Sequence, residues 1–179
     1  MDIAVLRIGH RSERDKRATS HLFLTARAFC ANRVLYTGQR SQKIEDSLKK
    51  VSDNWGGSFK VEYIENGVNY IRKWKEKGGD VIHLTMYGLP IQDVISQIKS
   101  SKGDKLIVVG GKKVSGVVYK LATWNVAITS QPHSEIAALS IFLHFFFEGR
   151  ELSKKFQSAH LVIIPQPNGK KVLCNARDV

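Results

Sequence analysis

The chain of 179 residues is long enough to bury the core of one domain, and its composition is that of an ordinary globular protein. No apolar run approaches the roughly 20 residues that cross a bilayer, so we expect no membrane anchor. The charge balance is more informative, because 28 Lys and Arg against 16 Asp and Glu give a formal net charge of +12. This excess favours a nucleic-acid partner over an unpartnered basic surface or an acidic membrane.

The N-terminal residues and the cysteines indicate the cellular compartment, and the spacing of potential ligands indicates whether a metal site is expected. The run Met1 to Leu6 lacks the basic-then-apolar plan of a signal peptide and predicts a first strand. Cys30 and Cys174 lie far apart and do not form a disulfide framework, so we expect a cytoplasmic protein. No His, Cys, Asp or Glu grouping has metal-ligand spacing, and no metal is expected.

Short β-branched runs alternate with longer helical patterns along most of the chain. The predicted strands are Ile3 to Ile8, Arg33 to Tyr36, Lys60 to Ile64, Val81 to Leu84, Leu106 to Val109 and Asn125 to Ile128. The predicted helices are Ser20 to Cys30, Gln42 to Asn54, Val68 to Lys77, Pro90 to Lys99, Val117 to Ala122 and Ser134 to Glu148. This alternation predicts βαβ units and therefore an α/β fold with a parallel sheet.

The pattern changes beyond Gly149. His160 to Ile164 and Lys171 to Leu173 flank a turn and predict a β-hairpin. We therefore expect one main domain, residues 1–150, and a C-terminal β-hairpin extension, residues 151–179.

Three turns at the ends of predicted strands have the composition of ligand-binding loops. They are Leu84 to Gly88, Val109 to Lys113 and Thr129 to Glu135. Free backbone groups and helix N-termini converge where parallel strands end, so these turns are expected to hold a ligand. No Walker A or Gly-x-Gly-x-x-Gly loop is present, which favours a nucleotide-like cofactor without a polyphosphate.

Three side chains near these features allow more than one interpretation. His133 lies in a polar turn at a helix start and is a candidate for shaping a site, whereas His83 lies inside an apolar strand and is more typical of a core residue. Arg27 lies in an apolar helical segment. Judged by this pattern alone, Arg27 is better explained as an ion-paired or snorkelling side chain than as a catalytic one.

Specific motifs follow one another between Arg7 and Glu135, within a resemblance that covers roughly residues 3 to 173. They are Arg7-Ile8-Gly9-His10-Arg11, Thr19-x-His21, Ala26-Arg27-Ala28-Phe29, His83-Leu84-Thr85-Met86-Tyr87-Gly88, Val109-Gly110-Gly111-x-Lys113 and Gln131-Pro132-His133-Ser134-Glu135. In this order they resemble the archaeal tRNA (cytidine-56) 2′-O-methyltransferases of the SPOUT superfamily. The family usually has Gly-Asn before Gln-Pro-His, where this chain has Thr129-Ser130. Any cofactor contact made by that Asn side chain is lost here.

The resemblance implies a SPOUT-type parallel sheet with a deep trefoil knot over about residues 81–148. It also implies bound S-adenosylmethionine and a homodimer with its sites near the subunit interface. The cofactor-binding residues it implies are Leu84, Val109, Gly110, Gly111, Lys112, Lys113, Ala127, Ile128, Thr129, Ser130, Gln131, Pro132, His133 and Ser134.

The activity implied is methylation of the ribose 2′-hydroxyl of cytidine 56 in tRNA. The superfamily pattern places an arginine six residues after a polar residue on the first helix, as Arg27 follows His21, and so gives Arg27 the catalytic role. A guanidinium is a poor base, so Arg27 is expected to position a phosphate or to stabilise the developing alkoxide.

The basic segment near the N-terminus is predicted to bind the RNA backbone. Its arginines are Arg7, Arg11, Arg14 and Arg17. The alternatives left open are a SPOUT enzyme acting on another RNA nucleotide, a knotted RNA-binding protein without turnover, and a small α/β nucleotide-binding regulator.

Overall fold

The computed structural model describes residues 1–111 and 114–174, with Lys16 described by its backbone alone. The strands are β1 (Ile3–His10), β2 (Arg33–Gly38), β3 (Lys60–Tyr63), β4 (Asp80–Pro90), β5 (Lys105–Gly110), β6 (Trp124–Ala127), β7 (Leu161–Ile164) and β8 (Lys171–Cys174). The helices are α1 (Ser12–Ala28), α2 (Gln42–Trp55), α3 (Gly67–Glu76), α4 (Ile91–Ser100), α5 (Gly116–Leu121) and α6 (Glu135–Phe147). A 3₁₀ turn, Arg150–Ser153, follows α6.

Strands β1 to β6 form one sheet in the order β3-β2-β1-β5-β4-β6, and every neighbouring pair is parallel. This confirms the predicted α/β fold with a parallel sheet. All six strands end at the same side of the sheet, here named the carboxyl edge, and begin at the opposite side, the amino edge.

Both faces of the sheet are covered, which explains why its central strands are largely apolar. Alternate side chains of β1 enter different cores: Val5 packs in one cluster and Leu6 in the other. Helices α1, α2, α4 and α6 contribute to the first cluster, while α3 and α5 contribute to the second.

Two elements extend beyond their predicted limits. Helix α1 begins at Ser12 rather than Ser20, with Glu13 and Asp15 in its first turn, where acidic side chains are favoured by the helix dipole. Strand β4 continues past Leu84 to Pro90, because the chain returns to pair with β6 after an irregularity.

The segment after α6 passes along the amino edge before forming an antiparallel β7–β8 pair where the hairpin is predicted. The Gly57 amide donates to the Gln157 carbonyl, which joins this segment to the end of α2. Among the described residues, no helix has the length and apolar character needed to cross a membrane.

Candidate active site

A cavity of about 440 Å³ opens at the carboxyl edge, where β4, β5 and β6 end. The predicted cofactor residues that line it are Leu84, Gly110, Gly111, Ile128, Pro132, His133 and Ser134. Each of the three predicted ligand loops contributes at least one of these residues. The three loops that the sequence predicts to hold a ligand therefore meet at one cavity.

The first wall is a bulge in β4. Leu84 and Leu89 both pair with Val126 of β6, so the residues between them are displaced out of the strand. A Cβ on Gly88 would lie 2.5 Å from the backbone of Asn125, which requires glycine at this position. The displaced segment brings Tyr87 to the rim of the cavity, with 79% of its surface exposed.

The second wall is the end of β5. Among the described residues, a Cβ on Gly111 would meet only the Glu135 carboxylate, at 3.9 Å. A Cβ on Gly110 would overlap the Val114 side chain. Lys112 and Lys113, predicted to bind the cofactor with these glycines, lie outside the described residues.

The third wall is the turn that leads into α6. Ser134 caps the helix by accepting from the Ala137 amide over 3.1 Å. His133 Nδ1 donates to the Gln131 carbonyl over 2.7 Å, and Thr129 Oγ1 accepts from the Gln131 amide. The turn is thus held by its own hydrogen bonds, and the Thr129 hydroxyl has a local structural role.

Not every predicted cofactor residue lines the cavity. Val109 and Ala127 are buried inside their strands. Thr129, Ser130 and Gln131 are exposed on the turn and do not line the cavity. A direct side-chain contact from these five positions therefore does not fit the geometry.

A buried polar network supports the first wall. His83 Nδ1 lies 2.9 Å from Asn125 Oδ1, and the Asn125 amide donates to the Tyr119 carbonyl. The Tyr119 hydroxyl lies 3.0 Å from Thr85 Oγ1. Burial lowers the pKa of His83, and its hydrogen bond with Asn125 opposes this only in part. His83 is therefore a neutral residue that orients the loop.

Glu135 at the cavity is fixed by Arg7. Arg7 is 2% exposed and donates from Nη1 to Glu135 Oε2 over 2.9 Å, with Asp15 at 3.8 Å. This geometry corrects the prediction that Arg7 grips RNA, because its guanidinium is enclosed by carboxylates of its own chain. Arg7 instead joins β1 to the start of α6.

The other basic side chains of this segment remain on the surface at the carboxyl edge. Arg11 is half exposed and pairs with Asp15, its Nε lying 3.0 Å from Oδ2. Arg14 and Arg17 are exposed, and neither forms an ion pair with a described side chain. These three arginines lie at the same edge of the sheet as the cavity, where they can contact a molecule that is bound there.

Arg27 lies elsewhere. It belongs to the last turn of α1, which ends at the amino edge beside the start of β1. Its Nη2 donates to the Gly56 carbonyl over 2.6 Å, and its guanidinium stacks on Phe156 at 4.6 Å from the ring centre. Arg27 is 7% exposed and does not line the cavity, so this placement argues against the predicted catalytic role.

Several cavity residues are absent from the predicted site residues. They are His83, Thr85, Met86, Tyr87, Val114, Tyr119, Val126, Glu135 and Ala138. Tyr119 comes from α5, and no local pattern indicates that this helix approaches β4. Tyr87 and Glu135 belong to the motifs quoted above, so the sequence does carry a signal for them.

The cavity suits a cofactor such as S-adenosylmethionine. Its volume lies within the range of ligand pockets, roughly 300–1,000 Å³. Leu84, Ile128 and Ala138 provide apolar contacts for a base, and the Gly110–Gly111 backbone provides polar groups free of side chains. Within residues 1–111 and 114–174, no group of three or more potential metal ligands occurs.

Known proteins match the chain over nearly its whole length. Residues 55–173 match the family model described as tRNA ribose 2′-O-methyltransferase, aTrm56. The tRNA (cytidine(56)-2′-O)-methyltransferase of Methanothermobacter thermautotrophicus is 49% identical over 170 residues, which cover 95% of this chain and 95% of that protein. The protein of the same name from Hyperthermus butylicus is 53% identical over 171 residues, 96% of this chain and 91% of that protein.

Solved structures share the fold at low sequence identity. The TrmH/SpoU tRNA modifying enzyme of A. aeolicus has a TM-score of 0.62 and 17% identity over 84% of this chain and 76% of that chain. The SpoU methyltransferase AviRb of Streptomyces viridochromogenes, solved with AdoMet, has a TM-score of 0.60 and 14% identity, covering 86% of this chain and 59% of that chain. The fold is thus of the TrmH/SpoU type, and the family and sequence matches show that the chain belongs to the aTrm56 family of tRNA ribose 2′-O-methyltransferases.

Proposed function

We propose that this chain methylates the ribose 2′-hydroxyl of cytidine 56 in tRNA, with S-adenosylmethionine as the methyl donor. The observation that carries the proposal is the carboxyl-edge cavity. Loops from three strand ends form it, and seven predicted cofactor residues line it. The aTrm56 family indicates that the substrate is tRNA and that the methylated atom is the ribose 2′-oxygen of cytidine 56.

The contribution of the protein to this reaction is to bind and orient. When bound, S-adenosylmethionine supplies a methyl group on a positively charged sulfur, ready for in-line displacement by a hydroxyl oxygen. Holding the two reactants in line converts a bimolecular step into a nearly unimolecular one. The Gly110–Gly111 backbone and the apolar residues Leu84 and Ile128 bind the cofactor, and the hydroxyl proton passes to water or to an RNA phosphate.

The RNA is held at the same edge by charge and by stacking. Arg11, Arg14 and Arg17 contact phosphates, which position the RNA but carry little sequence information. Tyr87 at the cavity rim offers an exposed ring on which an unstacked base can lie. Arg7 and Glu135 keep the third wall in place through their ion pair.

The wider organisation follows from the family and from the exposed apolar surface. We place a trefoil knot within residues 81–148, and we treat residues 151–179 as an extension of a main domain spanning residues 1–150. A homodimer forms through α1 and α6, which pack together and leave Leu24, Ile141 and Phe145 exposed at 36%, 40% and 44%. The protein acts in the cytoplasm, where its tRNA substrate is found.

A pair of glycine variants tests the assignment of the cavity. Gly111→Phe directs a ring into the cavity beside the end of β5. Gly116→Phe places the same ring at the start of α5, where an added Cβ would meet no atom of another described segment within 4 Å. We expect Gly111→Phe to abolish both S-adenosylmethionine binding and labelled methyl transfer to a tRNA transcript. Gly116→Phe should retain both. Full activity in Gly111→Phe, with its fold intact, would place the cofactor elsewhere.

A further inference from the structure

A second basic surface lies at the amino edge, opposite the cofactor cavity. It is a groove of about 600 Å³ between the end of α3 and the turn before β5. The side chains that matter for its chemistry are Arg33, Tyr70, Lys73, Trp74, Lys77 and Lys102. We name it the amino-edge groove.

The charge of this groove is positive and largely unneutralised. Lys73, Lys77 and Lys102 are exposed, and within residues 1–111 and 114–174 their ammonium groups form no ion pair. The nearby carboxylates reduce this charge only in part. Ion pairs join Asp2 to Arg33 at 2.7 Å and Asp80 to Lys105 at 2.8 Å. Asp104, the one carboxylate among the described residues that line the groove, accepts a hydrogen bond from the Asp2 amide over 2.7 Å.

The floor of the groove is aromatic and rigid. Trp74 Nε1 donates to the carbonyls of Asp80 and Asp104, which fixes the indole between two turns. Tyr70 lies beside it with ring centres 6.1 Å apart, and the Arg33 guanidinium lies 5.5 Å from the indole centre. Exposed lysines around a rigid floor are suited to contacts with the phosphates of a nucleic-acid backbone.

We propose that the amino-edge groove binds the sugar-phosphate backbone of the tRNA at a distance from the methylated nucleotide. The inference rests on the proposed function, since it takes tRNA as the substrate. The groove and the cavity lie at opposite ends of the sheet. Strand β1, with eight residues, separates them by roughly 25 Å. A folded tRNA is long enough to span this separation, so one tRNA molecule can contact both sites.

The groove differs from a membrane-binding surface. Its cations come from separate elements, with Lys73 and Lys77 at the end of α3 and Lys102 in the turn after α4. They do not line one face of an amphipathic helix with large apolar side chains opposite, as interfacial helices do. RNA is therefore the favoured partner, and an acidic lipid surface becomes an outcome of the test.

The test is the triple variant Lys73→Ala, Lys77→Ala, Lys102→Ala. Its matched control, Lys43→Ala, Lys49→Ala, Lys50→Ala, removes the same charge from exposed positions of α2. We expect the groove variant to bind full-length tRNA about tenfold more weakly at 0.1 M salt. The slope of log K against log salt should fall by about 2, because roughly three phosphate contacts are lost. The control should match the wild type.

Further readouts separate this inference from the proposed function. S-adenosylmethionine affinity and kcat at saturating tRNA should both be unchanged in the groove variant. The inference would be overturned if the groove variant bound full-length tRNA as tightly as the control does. It would also be overturned if the groove variant lost binding to phosphatidylglycerol vesicles while its tRNA binding stayed unchanged. If the wild type binds tRNA but transfers no methyl group, the proposed function fails, while the groove contact is still decided by the binding data.

Discussion

Arg7 and Glu135 are 128 positions apart in sequence, yet their side chains meet at 2.9 Å beside the cofactor cavity. The arginine is buried in the first strand, and the glutamate is the first residue of α6. One ion pair therefore joins the start of the fold to the third wall of the cavity. The sequence context of Arg7 predicts that it binds RNA. In the structure it instead holds the start of α6 in place beside the cavity.

Breaking this pair should weaken both the fold and the cavity. Glu135→Ala leaves the Arg7 charge buried with only Asp15, at 3.8 Å, as a partner. Removing one partner of a buried pair is costly, and since Glu135 is partly exposed we expect a loss of about 2 kcal/mol in the free energy of unfolding. Denaturant unfolding and titration with S-adenosylmethionine measure the two effects. Glu13→Ala, an exposed acidic position in α1, is the control, and equal behaviour of the two variants would refute the role of the pair.

Arg27 should matter for stability rather than for chemistry. Arg27→Ala removes a charged hydrogen bond to Gly56 and the stacking on Phe156, together worth about 2–3 kcal/mol. We expect a lower Tm with kcat within a few-fold of the wild type, measured well below the unfolding transition. A variant that keeps its Tm and loses turnover would restore the catalytic assignment.

Stability should fall as the pH is lowered through about 6.5. Burial lowers the pKa of His83 below its ordinary value of 6.5, so the unfolded chain takes up a proton that the folded chain resists. The free energy of unfolding is therefore highest above pH 6.5. It decreases as the pH falls from 6.5 toward the pKa of His83 in the folded protein. Unfolding free energies between pH 5 and 8 should show this slope, and His83→Gln should make it shallower. Parallel curves for the two proteins would contradict the assignment.

Tyr87 should contribute to tRNA binding through its ring. Stacking of one base on an aromatic side chain is worth about 1–3 kcal/mol, so Tyr87→Ala is expected to raise KM for tRNA about tenfold. Tyr87→Phe keeps the ring and should behave like the wild type. S-adenosylmethionine affinity should stay constant in both, because the side chain lies exposed at the rim. Equal KM values for the alanine and phenylalanine variants would exclude stacking.

Local pattern predicts the order and type of the sheet's strands and helices and the three loops that meet at the cavity, but not every boundary. The apolar run that starts at Val81 indicates a buried strand, and the paired glycines after Val109 indicate where the next strand ends. Because the strands are parallel, their carboxyl ends meet at one edge of the sheet. The extension of β4 to Pro90 does not follow from local pattern, because Thr85 to Gly88 has the composition of a turn. Only its pairing with β6 reveals it as a bulge within a strand.

The roles of the arginines cannot be predicted in the same way, because they depend on neighbours far away in sequence. Arg7 and Arg14 look alike in a basic segment, but the first points into the protein and the second to solvent. A family pattern alone places Arg27 at the ribose. Its partners in the structure, Gly56 and Phe156, come from two separate segments that meet at the amino edge.

The central claim is that this chain methylates the 2′-hydroxyl of cytidine 56 in tRNA. The most direct measurement is mass-spectrometric mapping of an unmodified tRNA transcript after reaction with the wild-type protein and S-adenosylmethionine. We expect one added methyl group, on the ribose of cytidine 56, and none when that cytidine is already 2′-O-methylated. A methyl group on a base or on another nucleotide, or no transfer by a protein that binds both the cofactor and the tRNA, would contradict it.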